Sequence, residues 1–250
     1  MQSQNEYNSV SSQSSTFSRV WQFIRFVVIT GMIFAISFFA MNFQAYKSIL
    51  ASVLNPEAQE ARAEVLEAAV AEPQLDESLL LPILEDESSK SYDWLDFPVL
   101  PTDNRLVIPK LGKSVPLVGM GTEHLEGENW SELENQIQDA LRDGVVHYPG
   151  TASPGQNGNV FITGHSSYYA WDSGEFKDVF ALLGQLEIGE EYYVYYEQKK
   201  YTYRIIEKVV VDPTDVSVLH QPEDKKISTL MTCYPVGTTR SRLVIRAEQV

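Results

Sequence analysis

The chain carries one cysteine, Cys233, and four histidines. A thiol attacks a carbonyl only as a thiolate or with a base beside it, and it needs a donor aimed at the oxyanion that forms. Cys233 closes the apolar run Ser228-Thr229-Leu230-Met231-Thr232 and opens into the loop Tyr234-Pro235-Val236-Gly237-Thr238-Thr239. His165 closes a second such run, Asn159-Val160-Phe161-Ile162-Thr163-Gly164, and opens into Ser166-Ser167-Tyr168-Tyr169. A strand end that opens into a loop presents a reactive atom on a rigid base. If the two strands are neighbours, imidazole and sulfur meet. Arg242 starts the next apolar run, so an antiparallel hairpin returns its guanidinium to Cys233. A fixed donor there stabilises an oxyanion, an effect worth roughly 10²–10³ in kcat where such donors have been removed.

Other readings of these residues compete. A lone cysteine is often a small buried hydrophobe. It cannot form an intrachain disulfide, and a Cys-rich zinc site is excluded. Arg240 rivals Arg242, since residues two apart on a strand face the same side; the Arg242-Leu243-Val244-Ile245 pattern favours Arg242. His124 and His220 sit in polar segments and read as surface residues. His147, in the short run Val145-Val146-His147-Tyr148, reads first as a support residue and second as a base. Thr232 either lines the substrate site or orients the thiol, or is a strand residue with a satisfied hydroxyl. Gly164-His165-Ser166-Ser167-Tyr168 is not a serine nucleophile elbow. Residues 150–158 lack the Gly-Lys-Ser/Thr of a phosphate loop. No metal or cofactor is implied.

The elements that must position these groups are short. Strand-like runs cover 106–110, 114–118, 145–148, 159–164, 192–197, 201–211, 227–232 and 242–247, with a tight turn at 198–200. Residues 130–142 have helical spacing, with Leu133, Ile137, Ala140 and Leu141 on one face and Gly144 as the stop. Residues 176–186 read as a short helical stretch and 212–226 as a long loop. Many short strands with few helices argue an all-β barrel or sandwich with helical insertions.

Residues 26–43 form an uncharged apolar run that, continued through Tyr46, is long enough to cross a bilayer core of about 30 Å. Its length, and the distance to the first Ala-x-Ala at residues 61–63, favour a retained signal-anchor over a cleaved signal peptide. Arg19 and Arg25 on its N-terminal side favour that end inside the cell and the rest outside. Residues 55–96 then carry twelve acidic side chains against Arg62 and Lys90. A short Ala/Glu-rich helix at 58–71, and beyond it a flexible, self-repelling stalk, are expected. Tyr92-Asp93-Trp94-Leu95 either folds back as a lid or packs on the outside of the domain. The formal net charge of -15, with no basic patch, excludes nucleic acid as a partner. The expected organisation is a cytoplasmic tail over 1–19, a single transmembrane helix over 20–46, a stalk over 47–104 and a catalytic domain over 105–250.

Thr229-Leu230-Met231-Thr232-Cys233 resembles the T-L-x-T-C signature of sortases, Arg242-Leu243-Val244-Ile245 their arginine-led last strand, and Gly164-His165 their histidine segment. The order His, Cys, Arg and the N-terminal anchor agree, over roughly 106–250. The resemblance implies an eight-stranded β-barrel and a transpeptidation. In it Cys233 attacks the Thr–Gly bond of an LPXTG-like signal on a surface protein and forms a thioacyl enzyme. His165 protonates the leaving amine and deprotonates an incoming one, such as a peptidoglycan cross-bridge. Arg242 holds the oxyanion, Thr232 is a substrate-contact candidate, and the loop 212–226 contacts the signal. No second apolar segment follows Ala247 and Asp93-Trp94 lacks a lid proline, so the pilus-polymerising subgroup is not expected; the class is otherwise open. A cysteine hydrolase on the same residues and a non-catalytic tethered binding domain are the alternatives. An L,D-transpeptidase is disfavoured, because its arginine lies close after the cysteine.

Overall fold

The computed structural model describes residues 3–70, 101–121, 130–169 and 171–250. The chain divides into two compact units, 1–43 and 44–250. In the first, helix α1 (Ser3–Met41) contains an apolar stretch, Arg19–Met41, of 23 residues with mean hydropathy 2.2. That length and composition are compatible with a single-pass membrane anchor.

The second unit is built on eight strands: β1 (Arg105–Ile108), β2 (Lys113–Gly119), β3 (Val145–His147), β4 (Gly158–Thr163), β5 (Glu191–Tyr196), β6 (Lys199–Val211), β7 (Lys226–Tyr234) and β8 (Ser241–Gln249). They close in the order β1-β2-β3-β4-β7-β8-β6-β5. The pairs β2–β3 and β4–β7 are parallel and the rest antiparallel. Each run expected as a strand is one, and the barrel expected from the resemblance is present. Closure leaves no open sheet edge.

Alternating residues fill the barrel: Leu106, Val160, Ile162, Leu230, Leu243 and Ile245 lie in one buried cluster. The middle strands are buried on their outer face as well. There Phe161 and Val244 pack under Val218 of the short 3₁₀ turn Val216–Leu219, inside the long β6–β7 loop. Helix α4 (Trp130–Ala140) covers β3 with Leu133, Ile137 and Leu141, the face read from its spacing. Gly144 serves close packing rather than a left-handed cap, because a Cβ there would lie 2.3 Å from the Pro116 carbonyl oxygen. The β5–β6 turn places Glu197 and Gln198 at φ 49° and 59°, the left-handed pair that a two-residue hairpin requires.

The expected stalk begins differently. Helices α2 (Phe43–Leu54) and α3 (Pro56–Val70) pack on the barrel. Ala45, Tyr46, Ser48, Ile49 and Ser52 of α2, then Gln59, Ala63, Leu66 and Val70 of α3 at helical spacing, are the covered positions. Val70 packs with Val107 and Tyr195, and Ile49 reaches the barrel core. Gln59 donates to the Lys110 carbonyl, and the Lys200 ammonium donates to the Val70 carbonyl at 2.7 Å. The acidic residues of α3 dominate its composition, but this narrow seam decides its packing. The apolar helix therefore stops at Met41, and Ala45 and Tyr46, expected to prolong it, belong to α2. Residues 71–100 of the stalk, with Tyr92 and Trp94, lie outside the described residues.

A fragment starting at Gln44 is accordingly expected to be more stable than one starting at Pro101. Side chains of this size are worth about 1.5–3 kcal/mol each when fully buried, so a difference of roughly 2–4 kcal/mol is expected. Urea unfolding of the two fragments checks this; equal midpoints would mean that the helices add nothing.

Candidate active site

The parallel pairing of β4 with β7 places Thr163 opposite Met231. The Gly164 amide continues the ladder by donating to the Met231 carbonyl at 3.2 Å. The two chains therefore leave the sheet at the same end, one with His165 and the other with Cys233. On the opposite side of β7, Cys233 pairs directly with Arg242 of β8. Cys233 sits one residue inside the strand rather than after its end, and is half-buried.

Strand alternation then sets the face. Leu230 points into the barrel, so Cys233, three residues on, is on the outer side. Leu243 is likewise inward, and Arg242 outward. On β4, Ile162 is inward, and His165 follows at an outward position. The structure thus brings Cys233, His165 and Arg242 to one end and one face, with Cys233 in the middle. Arg240 precedes β8 and has no partner in the ladder, which separates it from Arg242 where pleat alternation does not.

The remaining candidates lie elsewhere or are occupied. His147 pairs with Ile162, and its Nε2 is 2.9 Å from the Ala152 carbonyl and 3.2 Å from the Thr151 hydroxyl, a support role away from Cys233. His220 is exposed at the end of the 3₁₀ turn, and His124 lies outside the described residues. Thr232 is buried, and its hydroxyl donates to the Gly164 carbonyl at 2.7 Å. That bond fastens β7 to β4 just before His165 and uses the hydroxyl's proton.

Several contacts hold the histidine segment. The His165 carbonyl accepts from the Phe180 amide at 2.9 Å, and Ser167 Oγ accepts from the Gly237 amide at 3.0 Å, joining the His165 and Cys233 loops. A Cβ on Gly164 would come within 2.7 Å of the Phe180 ring, so only glycine fits there. The Tyr168 ring stacks on the imidazole at 4.3 Å and 23°. His165 Nε2 is buried with no hydrogen-bond partner among the described residues. Burial pushes its pKa down to about 4, against the opposing pull of the Asp172 carboxylate. The imidazole is therefore neutral near pH 7. Arg242 Nη1 donates to the Thr239 and Ser241 carbonyls at 3.1 and 3.2 Å, which anchors the guanidinium. Tyr46 of α2 donates to the Val236 carbonyl at 3.4 Å, so this helix reaches the Cys233 loop.

Sequence reasoning passed over Tyr168, Asp172 and the Ser167 link. The aromatic pair after His165 was the available signal. A polar cavity of about 490 Å³, lined by Gln156, Tyr196, Lys199, Tyr201 and Lys226 among others, opens at the other end of β4 and β7 and has no part in this constellation.

Residues 106–250 match the Sortase domain family. The chain is 29% identical over 148 residues to Sortase D of Bacillus subtilis (strain 168), covering 58% of this chain and 62% of that protein. The chain thus spans less than two thirds of the length of this relative. Among solved structures it is similar to a Sortase D5 transpeptidase from Clostridium perfringens, with 26% identity, coverage of 59% and 78% of the two chains, and a TM-score of 0.46. Sortase C-1 from Actinomyces oris shows 28% identity, coverage of 59% and 72%, and a TM-score of 0.47. The chain belongs to the sortase family, a family of cysteine transpeptidases.

The depressed histidine pKa has a direct consequence. Between pH 6.5 and about 4 the unfolded chain takes up a proton at His165 that the folded chain does not, so stability falls on acidification through that window. An NMR titration of the imidazole is expected to show a midpoint near pH 4; a midpoint near 6.5, the ordinary histidine value, would contradict the buried, neutral ring.

Proposed function

We propose that the protein is a membrane-anchored transpeptidase that cleaves an LPXTG-like sorting signal between Thr and Gly and joins the N-terminal fragment, through its new threonine carboxyl, to an envelope amine. The observation that carries this reading is the pairing of Cys233 with Arg242 beside the exit of His165, on the barrel of a sortase-family chain.

The steps follow from the placement. Cys233 Sγ attacks the threonine carbonyl carbon while the neutral imidazole of His165 takes the thiol proton. Arg242 donates to the oxyanion. As the C–N bond breaks, His165 returns that proton to the departing glycine nitrogen, leaving a thioester. An incoming amine attacks the thioester and gives a proton to His165, and the thiolate leaves and is reprotonated. Thr232 acts through its bond to Gly164, as a positioning residue for the β4–β7 junction. The anchor orientation, N-terminus inside and barrel outside, follows from Arg19 and Arg25. A peptidoglycan cross-bridge amine is the acceptor this reading favours.

The test incubates the chain from Gln44 with a panel of LPXTG-like peptides and an amine, and follows protein and products by mass spectrometry. A thioacyl adduct on Cys233 and an amine-linked product are expected, both absent in Cys233→Ala. Arg242→Ala should slow adduct formation by about 10²–10³. Hydrolysed peptide alone, at saturating amine, would replace transpeptidation with hydrolysis.

A further inference from the structure

Beyond His165, the chain sets out a row of aromatic rings. Tyr168 stacks on the imidazole at 4.3 Å, Tyr169 lies 5.2 Å from Tyr168, and Trp171 stacks on Tyr169 at 4.9 Å and 15°. The outer two are open to water, Tyr169 at 48% and Trp171 at 72% exposure. Single exposed apolar residues are ordinary, but a contiguous aromatic surface that ends on a catalytic candidate is not. Hydrogen bonds hold the described residues that flank it. The Asp172 carboxylate accepts from the Gly174 amide at 2.8 Å and pairs with Arg142 at 3.1 Å, and the Asp172 amide donates to the Tyr169 carbonyl at 3.1 Å.

Position and charge together indicate what this row receives. Cys233 lies between Arg242 on the β8 side and His165 on the β4 side. The acyl group is held against Arg242, so amines depart and arrive at His165. The row extends from His165 toward Arg142, which lies between α4 and β3, on the side away from Arg242. Arg142 is itself paired with Asp139 at 2.8 Å and with Asp172, and the Lys177 ammonium is turned onto the Asp172 carbonyl. Among the described residues, the two cations at this turn, Arg142 and Lys177, are thus both paired, and the neutral imidazole does not repel an arriving ammonium. A primary amine reaches an enzyme at neutral pH mostly as its ammonium, and aromatic faces attract ammonium groups.

We propose that Tyr169 and Trp171 form the acceptor site, binding the incoming amine as its ammonium; it loses that proton to solvent, and the free amine passes along Tyr168 to His165, where it attacks the thioester. The proposal rests on the transpeptidase reading and adds where the second substrate binds and what chemistry selects it.

The experiment uses the full chain in detergent, an accepted LPXTG-like peptide and triglycine, and measures the ratio of amine-linked to hydrolysed product. Trp171→Ala and Tyr169→Ala are each expected to raise the KM for triglycine, and so lower that ratio at sub-saturating amine, by about two- to fivefold. Trp171→Phe should recover most of the loss. Adduct formation without amine serves as the reference, because acylation precedes acceptor binding. Tetramethylammonium should compete with triglycine in the wild-type enzyme and lose that effect in both alanine variants. An unchanged product ratio in the variants overturns the proposal alone. A higher KM for the sorting peptide instead assigns the rings to the donor and also overturns it. A wild-type adduct that passes only to water removes the acceptor, and with it the transpeptidase reading.

Discussion

The constraint on which the rest depends is the double pairing of β7, parallel to β4 on one side and antiparallel to β8 on the other. Parallel neighbours end at the same edge of a sheet, so residues 68 apart in sequence, His165 and Cys233, emerge together. An antiparallel neighbour returns at once, which sets Arg242 opposite the thiol. Three candidate groups, two on strands and His165 just past a third, are thus set at one end of the sheet by backbone hydrogen bonds made inside a closed barrel. A one-residue slip in either ladder would turn part of the set to the opposite face.

Burial gives this placement its chemistry. Packing of the His165 segment against Phe180 and Tyr168 removes the imidazole from water and favours its neutral form. A neutral base can accept a thiol proton, which an imidazolium cannot. The same packing needs a residue without a side chain at Gly164 and a hydroxyl at Thr232, so the sequence around the reactive atoms is governed as much by fit as by reaction. Helix α2 extends this support, since Tyr46 and Ser48 bond to Val236 and Asp178, in the segments that follow the two reactive residues.

Much of this was legible beforehand, and the gaps have physical causes. The strands were visible because β-branched and aromatic residues alternate between Gly, Pro and polar breaks. The order of those strands around the barrel was not, since it depends on contacts between distant segments. Arg242 and Arg240 share a pleat side, and only the register of β8 against Cys233 separates them. The packing of α2 and α3 was hidden by composition: the acidic residues suggested a solvated stalk, whereas Gln59, Ala63, Leu66 and Val70 form a seam too narrow to dominate the count. The bond from Thr232 to the Gly164 carbonyl joins residues 68 apart in sequence, so no local pattern announced it. Tyr168 to Trp171 had the residue types of a binding surface, but their stacking depends on a turn fixed by Asp172.

The central claim, that register brings His165 and Cys233 side by side, is most directly tested by trapping. In the otherwise unaltered chain, His165→Cys supplies a second thiol at the predicted neighbouring position. Strand neighbours lie within the Cα separation that a disulfide spans, below about 7 Å. Mild oxidation followed by intact mass and free-thiol titration should show loss of both thiols within one chain, whereas Ser153→Cys, in the cavity at the opposite end of β4 and β7, should retain them. Persistence of both thiols in the His165→Cys protein, under oxidation that closes a known strand-pair disulfide, would contradict the account.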